Sequence, residues 1–170
     1  MKYQDDAQAL QVGDVADRAR LLSAANINPA TGLASDYLNH FNEAIMLLDL
    51  LSSCPDCRDD FLQWKAKSYA EHFAGSHFKD RALAIAAYEA ADAHARQCLD
   101  ALAATMTVVL EETRAALTAD MPAAAVAALA ERVAAQLRPL IVRASAAIHG
   151  DADNSDPLAP QAIVDALMRQ

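Results

Sequence analysis

The forty residues from Lys79 to Thr118, KDRALAIAAYEAADAHARQCLDALAATMTVVLEETRAALT, run without a glycine or a proline. Within them Tyr88, Ala91, Ala95, Leu99, Leu102, Met106, Val109, Leu110 and Thr113 recur at three- and four-residue steps. That is the period of a helix with one buried face. At 1.5 Å per residue an unbroken helix over this stretch would span roughly 60 Å, more than the diameter of one small domain. The segment is therefore expected to bend, to break near Asp92, or to reach a second subunit.

The flanks repeat the helical period. Asp120-Met121-Pro122 marks a turn, and Pro122 opens a helix to about His149, since a residue without an N–H suits a helix start. Val126, Leu129, Val133, Leu137, Leu140, Ile141, Ala144 and Ile148 recur there with near-heptad spacing. Pro139 lies inside this run and is expected to kink or divide it. On the other side, Ser35 is a candidate N-cap, with Asp36 in the first turn of a helix reaching about Ser52. Tyr37, Phe41, Ala44, Ile45 and Leu48 form its main stripe, while Met46, Leu47, Leu50 and Leu51 make its second half apolar almost all round, a pattern that predicts burial on several sides. A short helix over about 55–65 and a further turn over 69–74, capped by Ser68 and closed by Gly75, fill the interval.

Composition agrees. Roughly a quarter of the 170 residues are alanine, the best helix former, and only 4 Gly and 6 Pro interrupt the chain. The fold class is all-α, a bundle of four to five main helices that includes the long helix at about 79–118. The bundle is expected over 35–149, with an N-terminal arm and turn over 1–34 and an acidic linker with a short amphipathic helix over 150–170. Alanine faces let helices approach closely but bury little area per residue. Interface length must compensate, which is a motive for a homodimer or another protein partner.

The charge narrows the partners. Fourteen Lys and Arg against 23 Asp and Glu leave −9, and no basic patch stands out, so nucleic acid is not expected. The most apolar run, Ala44 to Leu51, is broken by Asp49 and is far shorter than a membrane span, so no membrane is expected either. Three cysteines and no secretion-type N-terminal pattern predict a cytoplasmic protein with reduced thiols.

Two constellations carry chemistry. Cys54, Cys57, His72 and His77 have the spacing C-x2-C-x14-H-x4-H, and two thiolates with two imidazoles would close a tetrahedral, structural Zn²⁺ site. The segment around the cysteines reads as helical and acidic, so it is not a zinc finger. The same pair, Cys-x-x-Cys at a helix start, could also act as a redox dithiol. Asp56, Asp59 and Asp60 oppose thiolate formation there. The second constellation is Asp36, His40 and Glu43, spaced i, i+4, i+7 on one helix face; a di-iron bundle site would need Glu-x-x-His pairs, and the chain has none. Trp64, Tyr69, Phe73 and Phe78 gather around one turn region, either as a plug at the bundle end or as the wall of a ligand pocket.

No phosphate-cradling glycine loop or nucleophile elbow occurs. The functional expectation is a non-enzymatic, regulatory bundle that acts by protein–protein association and needs no cofactor. The alternative is a metal- or thiol-dependent redox sensor built on Cys54 and Cys57, with His72 and His77 and a Zn ion.

Overall fold

The computed structural model describes residues 15–151. The start of the expected N-terminal arm, and nearly all of the acidic linker with its short helix, lie outside them. Among the described residues there are seven α-helices and no strand: α1 (Val15–Ala24), α2 (Leu38–Ser53), α3 (Arg58–Gln63), α4 (Tyr69–Ala74), α5 (Arg81–Glu89), α6 (Ala93–Ala116) and α7 (Ala123–His149). The all-α bundle read from helical periodicity is the fold found.

The frame is α2, α6 and α7, with α7 packed against both of the others. The Thr31 hydroxyl, just ahead of α2, donates to the carbonyl of Ile148 at the end of α7 (2.6 Å). Asp49, late in α2, pairs with Arg138 in the middle of α7. Hence α2 and α7 are antiparallel. The turn between α6 and α7 makes those two antiparallel as well. At one end the Asp92 N–H donates to the Thr31 carbonyl (3.0 Å). At the other, the Arg58 guanidinium donates to the carbonyls of Thr118 and Met121, fastening the start of α3 to the α6–α7 turn.

The buried faces are those the periodicity marks. Tyr37, Phe41, Ala44, Ile45 and Leu48 are buried on α2; Leu99, Met106, Val109 and Leu110 on α6; Val126, Val133, Leu137 and Ile148 on α7. Leu22, Ala25, Ile27, Leu33 and Ala34 join the same core, so the stretch before α2 packs with the bundle.

Of the outcomes expected for the 79–118 stretch, the structure shows the break near Asp92: the chain leaves helix at Ala90–Asp92 and the stretch is two helices. The Asp92 carboxylate accepts the N–H of Ala95 (2.9 Å) and so starts α6 with a side-chain cap. Three other local features differ from the sequence expectation. Ser35 does not cap α2. It opens a single 3₁₀ turn, Ser35–Tyr37, that leads into the helix. Pro139 does not divide α7, which runs through it as one element. It sits on the exposed face, beside exposed Ala135, where the carbonyl it leaves without a partner faces solvent. Lastly, the second half of α2 is not buried all round: Met46 and Leu50 face outward.

Two glycines are required by the backbone. Gly150 ends α7 at φ +82, and the following Asp151 N–H bonds the Ala146 carbonyl (2.9 Å), an αL helix stop. Gly32 has φ +78, and a Cβ there would lie 2.9 Å from the Ala87 carbonyl oxygen and 3.1 Å from the Ala91 Cα. The turn before α2 can touch the end of α5 only without a side chain.

Candidate functional site: a tyrosine-lined cleft beside a buried histidine

The segment Trp64–Ser68 crosses the start of α2 and is held there by side chains from α2, α6 and the 3₁₀ turn before α2. The Trp64 indole donates to the His40 carbonyl (3.2 Å), and Arg114 of α6 donates to the Trp64 carbonyl (3.2 Å). The Lys67 N–H donates to Nε2 of His40 (3.0 Å), and the Tyr37 hydroxyl donates to the Lys67 carbonyl (3.0 Å). Ser68 then starts α4 with a full capping box: its hydroxyl accepts from Glu71 N–H while the Glu71 carboxylate accepts from Ser68. Those bonds hold the Glu71 carboxyl below its usual range.

His40 is 4% exposed. It stacks on Trp64 with centroids 4.7 Å apart, and the His72 ring lies 6.0 Å away. Burial first, then the neighbouring His72 and Lys67 charges, push its pKa down to about 4. A neutral ring with Nδ1 protonated matches an Nε2 that accepts an N–H. His72 is also held below its ordinary value, by burial and by Lys67, against an opposing hydrogen bond to the Asp36 backbone. His40 therefore turns inward to secure Lys67, Glu43 is exposed, and the Asp36 carboxylate accepts from Asn26 (3.4 Å). The i, i+4, i+7 trio does not converge on one point.

Cys54 and Cys57 lie at the far end of α2, around a 3₁₀ turn (Pro55–Cys57) in which Cys57 N–H donates to the Cys54 carbonyl (2.9 Å). The hydrogen-bonding Cys54 sulfur, helped by the Asp60 and Asp56 carboxylates, pushes the Cys57 thiol up to about 11. His72 instead packs with Tyr37 and His40 at the start of α2. Fourteen residues of mostly helical chain, about 20 Å, separate His40 from Cys54. Among the described residues no group of three or more His, Cys, Asp or Glu side chains is disposed to hold a metal ion. The spacing that suggests zinc thus puts His72 at one end of α2 and the two cysteines at the other, while His77 is exposed in the loop after α4.

The aromatic cluster is larger than the sequence indicated. Trp64, Tyr69, Phe73 and Phe78 are joined by Tyr37, Phe41 and Tyr88. Most of it is core. One flank opens as a cleft of about 500 Å³, walled by Tyr37, Tyr69 and Tyr88 on one side and by Asp100, Ala104 and Val108 of α6 on the other. Tyr69 and Tyr88 stack at 4.4 Å and 14°. The three phenols hold distinct bonds: Tyr37 donates to Lys67, Tyr69 accepts the Ala34 N–H (2.9 Å), and Tyr88 donates to Asp100 (2.7 Å). Burial raises all three pKa values, Tyr88 to about 12, so the phenols stay protonated at neutral pH. Such a wall can recognise a ligand but offers no base. Sequence spacing could not assemble positions 37, 69, 88 and 100. The one available signal was that tyrosine is scarce, 4 in the chain, and three of those four share this cleft.

The fold and the cleft define an all-helical bundle with a tyrosine-lined recess at its side. No family model matches the chain, and no curated protein or solved structure is significantly similar to it.

Proposed function

We propose that the protein acts by association with a second copy of itself through the outer face of α2 and α7. The observation that carries this reading is the exposed apolar triad Met46 (62% exposed), Leu50 (40%) and Val142 (68%). Met46 and Leu50 are one turn apart on α2. Val142 is one turn beyond Arg138 on α7, whose guanidinium holds Asp49 of α2 at 2.6 Å. The Asp49–Arg138 pair is neutralised within one chain, so two copies can close apolar side chains over this face without burying an unpaired charge. At about 24 Å for the 16 residues of α2, beside the longer α7, the face offers several hundred Å² per copy, the scale of a modest dimer interface. Three cysteines free of disulfides suit a regulatory role in the cytoplasm.

Sedimentation or light scattering of wild type beside Met46→Glu/Val142→Glu tests it. The expected result is a dimer for wild type and a monomer of unchanged helicity for the variant. A wild type that stays monomeric at about 100 µM, a concentration where modest interfaces fill, overturns the reading.

A second reading, a thiol sensor, rests on the adjacency of Cys54 and Cys57. Two thiols flanking one 3₁₀ turn can close to a disulfide when an oxidised dithiol reagent takes up their two hydrogens and two electrons. The raised Cys57 pKa predicts slow closure at pH 7, faster as pH rises toward about 11. Zinc analysis of protein purified without chelator, with Cys57→Ser as control, checks whether the pair recruits a metal through ligands from outside this arrangement.

A further inference from the structure

The cleft beside α6 has a graded floor. Asp100, Ala104 and Val108 recur every four residues and so line one stripe of the helix. The stripe runs about 12 Å from a carboxylate to a branched apolar side chain. Val108 is a large hydrophobic left 40% exposed on this wall. Ala103 and Ala104 keep the middle of the floor low.

The polar end is rich in acceptors. Asp100 Oδ1 takes the Tyr88 hydroxyl, and its second oxygen has no protein donor among the described residues. The Glu71 carboxylate takes its two Ser68 donors through Oε2 alone. Neither carboxylate belongs to an ion pair among the described residues. Lys67 is the one cation on the lining, against two carboxylates. The whole chain, at −9, adds to the attraction for a cation. The outer side of Tyr88 already draws one, since the Arg96 guanidinium lies 5.8 Å from its ring centroid.

We propose that this cleft binds a small organic ammonium ion with an apolar body, the ammonium at Asp100 and Glu71 and the body along Ala104 toward Val108. A volume of about 500 Å³ lies within the range of small-molecule sites. Size and gradient together select an arylalkyl- or alkylammonium of about 10 Å or less over a bare inorganic cation. This site lies apart from the α2–α7 face and stands or falls independently of dimerisation.

The test is calorimetric or NMR titration with three probes of equal size and different charge: 2-phenylethylammonium, 2-phenylethanol and phenylacetate. The ammonium is expected to bind with a dissociation constant below about 1 mM, roughly tenfold tighter than the alcohol, with phenylacetate weakest, because a charge-assisted hydrogen bond is stronger than a neutral one. Asp100→Asn should cost the ammonium about tenfold and the alcohol little. Lys67→Met removes the one cation of the lining and should tighten ammonium binding several-fold. Affinity should rise from propyl- to hexylammonium in wild type, and that rise should disappear in Val108→Ser. Failure of the ammonium to bind at about 10 mM, equal binding by phenylacetate, or an Asp100→Asn variant as tight as wild type overturns the proposal.

Discussion

Gly32 sits where the turn before α2 comes closest to α5, at a positive φ with Ala87 and Ala91 in the space a side chain would need. Gly32→Ala adds both backbone strain and a clash, and a loss of about 2 kcal/mol is expected in urea unfolding. His40 acts at the same scale through its proton. Its folded pKa of about 4 lies below the ordinary value of 6.5, so the unfolded chain takes up a proton before the folded one does. The stability linked to the neutral ring is complete above pH 6.5 and is lost as pH falls from there toward 4. His72, shifted the same way, adds to the effect. Between pH 7.5 and pH 5 the unfolding free energy should drop by about 2 kcal/mol. His40→Gln keeps an acceptor for the Lys67 N–H but does not titrate, and should flatten most of that slope. An equally steep slope in the variant would remove His40 from the account.

Elements record how far the sequence could be read. The helices were legible because their apolar residues recur every three or four positions, and Ser68 was legible as a cap, while the reciprocal bond from Glu71 shows only in the structure. The break at Asp92 was harder, for no glycine or proline marks it. A short acidic side chain supplies the stop by capping the next helix instead. Asp92→Ala should therefore cost about 1 kcal/mol and increase amide exchange over the first turn of α6. Pro139 does not divide the helix because its effect depends on which face it occupies. On the solvent side the helix survives, yet the lost hydrogen bond still costs. Pro139→Ala should raise the melting temperature, with a gain of about 1 to 2 kcal/mol. The candidate site was the least legible element. The cleft is assembled from side chains up to about seventy residues apart, and the metal-like spacing of Cys54, Cys57, His72 and His77 counted positions along the chain without knowing that α2 lies between the cysteines and His72.

At the scale of the whole molecule, charge and shape oppose each other. Each chain carries −9, so two copies repel before the α2–α7 faces meet. Raising salt from about 20 to 200 mM shortens the range of that repulsion and should strengthen dimerisation several-fold, seen as a falling dissociation constant in sedimentation. The ammonium site should respond in the opposite direction, weakening with salt, so one ionic-strength series separates the two proposals. The Thr31 turn, finally, sets the order of events in time. Its hydroxyl reaches Ile148 across 117 residues, and its carbonyl takes the Asp92 N–H. Contacts of such separation close late, after local helices have formed. Thr31→Val removes the hydroxyl at nearly constant shape, so it should leave the refolding rate close to wild type and accelerate unfolding. The bond at one end of the bundle is then less a support than a latch, and the protein's lifetime in the folded state depends on how often it lifts.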